Sequence, residues 1–352
     1  MNSLSSMLVL GAGAWGSAFA SRISYGHPDA GIHLWARSAE HVKKLKTSGI
    51  NEKYLTKIKL SENLIYEYDL ITAVKNWSKF HEKDNGLRIL VLAIPVSGIL
   101  EVCSSLKKID DLKCSCIVWL CKGVMRTDNG IFWPSQIIKK SFPKFFSLAL
   151  SGPSFAQEVA CGLPFALTCA GVNLNYARKV AKSLTCDGLR IYSSSDLIGV
   201  ELAGAMKNVL AIAAGICDGM KLGLNARASL ITRGLSETAR LGIALGAKKE
   251  TFLGLASLGD LVLTSTGNLS RNRKVGLRLA EGESLGLILD NLGHVAEGVS
   301  TAPLLLQIAI SKNVEIPITK SVCDLLDGKI RPEQALNSLL SRDLSDENKA
   351  LH

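Results

Sequence analysis

Between Met7 and Tyr192 short apolar runs alternate with longer segments whose apolar residues recur at helical spacing. Short apolar runs bounded by turn residues read as strands of a buried parallel sheet, and the segments between them as the helices that cover it. The pattern predicts strands at Met7–Gly11, Ile32–Ala36, Leu64–Tyr66, Ile89–Ile94, Cys116–Cys121, Leu148–Ser151, Ala166–Cys169 and Leu189–Tyr192. It predicts helices near Trp15–Ser24, Ala39–Thr47, Val96–Leu106, Gly130–Lys140, Phe155–Cys161 and Asn175–Leu184. This alternation makes an α/β domain, a doubly wound (Rossmann-type) parallel sheet. The charged stretch Asn76–Gly86, which ends in Asn-Gly, interrupts the pattern and reads as a solvated surface loop.

After Ser195 the strand-like runs stop, and long Ala-, Leu- and Gly-rich stretches with helical spacing take over. The expected organisation is therefore the sheet domain over residues 1–195 and an all-α domain over 196–352, with a charged tail, Ser341–His352, that frays. A chain of 352 residues with 47% hydrophobic content has enough apolar material for two such cores.

Nine cysteines, an odd number with several inside apolar runs, point to a reducing compartment rather than a disulfide framework. The six histidines are scattered and no C-x-x-C or H-E-x-x-H occurs, so no metal site is expected. Met1–Ser6 carries no basic residue and the apolar run behind it stops at Gly11, unlike a signal peptide. The longest apolar stretch, Val209–Ile216, is far short of the roughly 20 residues that a membrane helix needs. A soluble cytoplasmic protein with no stable membrane insertion is expected. The formal charge of +10 suits nucleic acid, a membrane surface or anionic small molecules, and does not choose among them.

Directly after the first expected strand stands Gly11-Ala12-Gly13-Ala14-Trp15-Gly16, the G-x-G-x-x-G spacing, and it opens an expected helix. Gly11 permits the tight turn, Gly13 lets backbone approach a pyrophosphate, and Gly16 lets helix and strand pack closely. At the end of the second strand, where an NAD-specific site carries a carboxylate for the ribose 2′-OH, the chain has Ala36-Arg37. Arg37 predicts that NADPH is used, alongside NADH; the alternative is a solvated charge that opens a helix. Lys122 follows another strand end. Ser154 and Gln157 have capping-box spacing, so Ser154 is either only a helix cap or, with Gly152, part of an anion or hydroxyl site.

Lys207 is the only cation of Val200–Gly219, and Ala203, Gly204, Ala211 and Ala214 lie at helical spacing from it. One reading is a lysine that snorkels into water. The other is a desolvated ammonium with a lowered pKa, suited to proton transfer, and the all-small face gives its stem little to lie on. Further on, Asp260 stands alone in an apolar stretch before Ser270-Arg271-Asn272, whose fork and neutral donors match a phosphate monoester. No aromatic is interleaved there, so a small-molecule partner is expected and no nucleic acid.

Gly11–Gly16, Trp119–Gly123, Gly152–Glu158, Glu201–Val209, Gly259–Leu261, Asn268–Asn272 and Ala296–Val299 together resemble the bacterial-type NAD(P)-dependent sn-glycerol-3-phosphate dehydrogenase family, in order from Met7 to about Leu336. The resemblance implies reversible reduction of dihydroxyacetone phosphate to sn-glycerol 3-phosphate with NADPH or NADH, for phospholipid synthesis; the apolar helical domain separately makes a homodimer the expected assembly. It implies that Lys207 is the proton donor and acceptor, and that Lys122 touches cofactor and substrate. By the same resemblance Gly152, Ser154, Asp260, Ser270, Arg271 and Asn272 hold the substrate. Ala14, Trp15, Arg37, Ala156, Arg271, Val295 and Glu297 contact the cofactor, beside the glycines Gly11, Gly13 and Gly16. The chain departs from the family at Ala14 and Ser17, where Ser and Thr are common, at Trp119-Leu120-Cys121, and in the Asn76–Gly86 stretch, which looks like an insertion.

Overall fold

The computed structural model describes residues 3–79, 86–109, 112–292 and 296–335. They form two compact units. The first takes the described residues of Met1–Cys121, Pro134–Leu150 and Ser154–Leu197, and the second those of Lys122–Trp133, Ser151–Pro153 and Ile198–His352.

The strands are β1 (Leu4–Leu10), β2 (Gly31–Trp35), β3 (Ile65–Glu67), β4 (Leu87–Leu92), β5 (Cys116–Trp119), β6 (Met125–Thr127), β7 (Gly130–Phe132), β8 (Phe146–Ser151), β9 (Phe165–Ala170) and β10 (Leu189–Ser194). Eight of them make one sheet in the order β10-β9-β8-β5-β4-β1-β2-β3. The pairs β1–β2, β1–β4, β2–β3, β4–β5, β5–β8 and β9–β10 are parallel. All seven residues of β1, Ser5 and Ser6 among them, and all four of β5 are buried, and the apolar runs Met7–Leu10 and Cys116–Trp119 reflect that burial. The first unit's helices are α1 (Ala14–Gly26), α2 (Ala39–Ser48), α3 (Leu70–Lys79), α4 (Ile99–Leu106), α5 (Pro134–Ser141), α6 (Ala156–Ala160) and α7 (Leu174–Leu184). Ser38 caps α2 and Asn173 caps α7, each side chain accepting from the backbone N–H three residues on.

The direction of strand progression reverses between β1 and β4, the point where doubly wound sheets bind ligands. Gly11 stands there with φ 123°, and a Cβ on it would lie 2.4 Å from the Ala93 carbonyl oxygen just beyond β4. A Cβ on Gly16 would lie 2.0 Å from the Gly11 oxygen, so α1 and the loop touch backbone to backbone. Around Gly13 no described atom lies within 4 Å of the same position. Buried Asn51 fixes the turn from below, its Nδ2 donating to the Ala12 oxygen at 3.0 Å and to Ser17 Oγ at 2.8 Å.

The second unit holds α8 (Leu197–Gly219), α9 (Gly223–Ala244), α10 (Asp260–Thr266), α11 (Arg271–Ala280), α12 (Leu285–Leu292), α13 (Glu297–Ser311) and α14 (Pro317–Leu326), with the β6–β7 hairpin. Leu202, Met206, Val209, Ile212 and Ile216 put α8 at the centre of this unit's core. Buried Glu237 of α9 accepts from the Ile318 and Thr319 N–H groups, so a carboxylate satisfies the first turn of α14.

All eight expected strands enter the sheet, with shifted ends: β1 starts at Leu4 rather than Met7, and β5 stops at Trp119 rather than Cys121. Two expectations are corrected. The helix expected over Gly130–Lys140 begins only at Pro134, because Gly130, at φ 121°, closes the turn of the β6–β7 hairpin. Asn76–Lys79, expected in a loop, form the last turn of α3, anchored by buried Ala73, Val74 and Trp77; residues 80–85 of that stretch lie outside the described residues. Helix α6 begins at Ala156, with Phe155 as its N-cap. The helix that carries Val209–Ile216, α8, spans 23 residues, Leu197–Gly219. By length and composition the helix is apolar enough to cross a membrane, but 83% of that window is buried within the fold. The charged tail Ser341–His352 lies outside the described residues. All nine cysteines are free thiols.

The glycine contacts separate two substitutions. Gly16→Ala drives a Cβ into backbone and should cost roughly 1–3 kcal/mol, whereas Gly13→Ala should change stability by less than about 0.5 kcal/mol. Thermal denaturation of both variants checks this; equal melting temperatures would contradict the close packing at Gly16.

Candidate active site

Three charged side chains converge inside the second unit. Asp260 is the first residue of α10 and follows directly on a π-helical turn, Leu255–Gly259, the kind of local irregularity that re-aims a side chain. Its carboxylate is 2% exposed and is bracketed by two ammonium groups. Lys122 Nζ pairs with Oδ2, and Lys207 Nζ lies 3.3 Å from Oδ1. Lys122 also donates to the Gly152 carbonyl oxygen at 3.2 Å. Its stem lies along α8 at Gly204, where an added Cβ would stand 3.3 Å from Lys122 Cγ and 3.4 Å from Ser151 Oγ. The small face beside Lys207 therefore receives a second lysine. Lys207 donates to Thr264 Oγ1 at 2.9 Å, and that hydroxyl donates to Asp260 Oδ1 at 3.3 Å.

Burial pulls the Lys207 ammonium down to about 8; the Asp260 carboxylate opposes this and the Lys122 charge adds to it. Burial alone would raise Asp260. The two ammonium groups and their hydrogen bonds outweigh it and hold the carboxyl below its ordinary value. Asp260 is thus an anion, and Lys207 is an ammonium that can lose its proton near neutral pH. This environment disagrees with the snorkelling alternative, since the Lys207 side chain is only 12% exposed.

A second cluster lies at the N-terminus of α11. Ser270 is the N-cap, its Oγ accepting from the Arg273 N–H at 3.2 Å, and exposed Arg271 is the first helical residue. Asn272 is buried and occupied at both ends: Nδ2 donates to Asn208 Oδ1 at 2.9 Å, and Oδ1 accepts from the Gly298 N–H at 3.0 Å. Asn208 Nδ2 in turn reaches the Lys122 carbonyl oxygen at 3.5 Å. Each member of this amide chain is Lys122 itself or the sequence neighbour of an expected site residue: Lys207, Arg271 or Glu297.

Of the expected site residues, the second unit brings together Lys122, Gly152, Lys207 and Asp260, and it carries Ser270, Arg271, Asn272 and Glu297. Gly11, Gly13, Ala14, Trp15, Gly16, Arg37, Ser154 and Ala156 belong to the first unit. Val295 lies outside the described residues. Ala14 and Trp15 open α1 behind Gly13, an N-cap without a side chain, so its first-turn N–H groups face the open space at Gly13. That cradle fits a dinucleotide pyrophosphate. Arg37 is exposed just past the end of β2. Thr264, Asn208 and Asn51 were not expected from sequence. Thr264 stands four residues after Asp260 on one helix face, a signal that could have found it; the two asparagines carry no local signal.

A glycine-rich strand–helix turn at the reversal of a doubly wound sheet, in a chain whose second, helical unit buries an ammonium of lowered pKa, has the parts of a nicotinamide-dependent oxidoreductase. Residues 6–177 match the N-terminal domain, and residues 196–337 the C-terminal domain, of NAD-dependent glycerol-3-phosphate dehydrogenase. The chain belongs to this family, and its cofactor is NAD or NADP. It is 43% identical to the glycerol-3-phosphate dehydrogenase [NAD(P)+] of Thiobacillus denitrificans, over 97% of this chain and 99% of the relative. It is 46% identical to that of Burkholderia lata, over 95% and 98%. Its structure resembles the crystal structure of glycerol-3-phosphate dehydrogenase from Coxiella burnetii, with 35% identity, a TM-score of 0.86, and coverage of 96% and 99%. D-mandelate dehydrogenase, at 14% identity and a TM-score of 0.57, covering 94% of this chain and 99% of its own, shares the fold alone.

The charge arrangement carries a direct consequence. Asp260→Asn leaves the Lys122 and Lys207 ammonium groups without their anion, and the Lys207 pKa should fall below its value of about 8. Lysine-selective acylation of Lys207 as a function of pH, read by peptide mass spectrometry, checks the direction; an unchanged midpoint would remove Asp260 as its electrostatic partner.

Proposed function

We infer that the chain catalyses NAD(P)H-dependent, reversible reduction of dihydroxyacetone phosphate to sn-glycerol 3-phosphate, the precursor of glycerophospholipids. The observation that carries this reading is the buried Lys122–Asp260–Lys207 cluster in a unit that also presents Arg271 at the open end of α11. A bound nicotinamide dinucleotide supplies the hydride. The Arg271 guanidinium and the first N–H groups of α11 hold the phosphate, and the Ser270 hydroxyl, which accepts as N-cap, keeps its proton to donate. Lys207 as ammonium hydrogen-bonds the carbonyl oxygen and delivers its proton as the hydride reaches carbon, so that the ketone gains H⁻ and H⁺ and leaves as the alcohol. In the reverse direction neutral Lys207 takes the hydroxyl proton. Asp260 holds both lysines in place, and Lys122 and Gly152 orient the substrate's hydroxyl end.

In the first unit, Gly11, Gly13, Ala14, Trp15, Gly16 and Ala156 hold the dinucleotide, with Arg37 at the adenosine ribose, where a 2′-phosphate of NADP meets a cation. Glu297 and Val295 complete the cofactor contacts. Cytoplasmic residence and a homodimer belong to the same reading; Leu224, Leu253 and Ile310, which are 65–71% exposed on the helical unit, support association, and light scattering of the purified protein tests it.

Oxidation of NADPH by purified protein with dihydroxyacetone phosphate should proceed at least a hundredfold faster than with dihydroxyacetone, because one Arg–phosphate site is worth several kcal/mol. Equal rates would refute the phosphate site. Lys207→Ala should lower kcat by about 10²–10⁴-fold and leave NADPH affinity, read by fluorescence titration, nearly unchanged. Because the ammonium is needed for reduction, the reductive rate should fall as pH rises through about 8, and oxidation of the alcohol should rise over the same interval. Arg37→Ala should weaken NADPH more than NADH; unchanged affinity for both would make Arg37 a solvated surface charge.

A further inference from the structure

Helices α8 and α11 carry the proposed proton donor and the proposed phosphate-binding residue, and they meet at backbone contact. A Cβ on Gly215 of α8 would lie 2.0 Å from the Arg273 carbonyl oxygen, and one on Gly276 of α11 would lie 2.0 Å from the Ile212 oxygen. One turn beyond Gly215, the Gly219 position is 2.7 Å from the Ala280 Cβ. Glycine at all three points lets the two helices approach there to main-chain distance. Their separation is then set by main chain and does not depend on a rotamer.

Such a contact fixes a distance but leaves α11 able to slide or roll, and an ion cluster stops that. Asp218 Oδ2 accepts from Arg273 Nε at 2.8 Å and lies 2.6 Å from Arg273 Nη2. Arg227 of α9 reaches the same carboxylate, with Nη1 at 3.1 Å from Oδ1 and 3.0 Å from Oδ2. The three side chains are 13%, 11% and 19% exposed for Asp218, Arg273 and Arg227, so water screens them little. Arg273 has one further contact, Nη1 donating to Asn268 Oδ1 at 3.1 Å, and its own N–H caps onto Ser270. The side chain that grips Asp218 therefore also holds the turn immediately before Arg271. An acidic residue in the last turn of α8 is unfavourable for that helix, where the dipole prefers a cation. Its place is explained by what it holds.

We propose that Asp218 is a positioning residue for substrate recognition: through Arg273 it fixes the Asn268–Ser270 turn and the first turn of α11, so that Arg271 meets the phosphate at a set distance from Lys207. This rests on the reading of Arg271 as the phosphate-binding residue. The coupling predicts a KM effect confined to phosphorylated substrate.

The test uses the full chain, with Asp218→Asn, Arg273→Gln and the double variant, and inorganic phosphate as a competitive inhibitor. Each single variant should raise both KM for dihydroxyacetone phosphate and the inhibition constant of phosphate about tenfold, equivalent to about 1.4 kcal/mol. The kcat should stay within about threefold, and the slow rate with dihydroxyacetone within about twofold, because Lys207 is untouched. The double variant should be only slightly worse than the weaker single one, since both break the shared Asp218–Arg273 contact. KM and inhibition constants within twofold of the parent would overturn the proposal, as would equal losses on both substrates with a lowered melting temperature, which mark a merely structural role. If Asp218→Asn does not fold, Arg273→Gln carries the same comparison. Arg271→Ala separates the two levels: if it too leaves phosphate inhibition unchanged, the phosphate assignment itself fails, whereas a large effect there with none at Asp218 rejects only the positioning role.

Discussion

Everything chemical in the second unit depends on one buried carboxylate between two ammonium groups. Asp260 is almost fully removed from water, and an isolated carboxylate there would take up a proton rather than stay charged. Two lysines keep it ionised. It in turn keeps one of them, Lys207, from losing its proton altogether in an apolar helix. The balance leaves Lys207 poised near neutrality, and neither burial nor the ion pair alone would do so. A triad of this kind stabilises a fold poorly, since desolvation consumes most of the Coulomb energy. Its value lies in setting a proton affinity.

Around that centre the architecture is organised by close backbone approach. Gly16 packs on Gly11 in the first unit, Gly204 admits the Lys122 stem, and Gly298 reaches the Asn208 carbonyl region, 2.7 Å from an added Cβ. In each case a missing side chain lets a functional element come nearer than ordinary packing allows. The buried asparagines do complementary work. Asn51 holds the glycine-rich turn by its Ala12 carbonyl, and Asn272 and Asn208 join α11, α13 and the Lys122 segment through a chain of amide hydrogen bonds.

Much of this was readable from the sequence because the signals are local. Strand and helix periods, the strand–glycine–helix turn and the lone charges in apolar runs are patterns within a few residues, and the sheet, Gly11–Gly16, Lys207 and Asp260 followed from them. What escaped depends on partners far along the chain. The α3 turn at Asn76–Lys79 is polar in sequence and helical because Trp77 is buried. The bonds from the Asn272 amide to Asn208 and Gly298 join residues far apart in the chain, which no local pattern reveals.

The separation of the charged partners along the chain bears on how the molecule comes into being. Lys122 and Asp260 are 138 residues apart, whereas the helices and the hairpin around them are built from near neighbours. Closing so long a loop costs entropy that only extensive packing can offset, so the ion triad belongs to the late stages of folding. Until then Lys207 lacks both the burial and the anion that set its proton affinity. A nascent chain that has not yet released Asp260 holds both lysines and lacks the anion that joins them, so proton affinity at Lys207 is tuned only after synthesis has passed that residue.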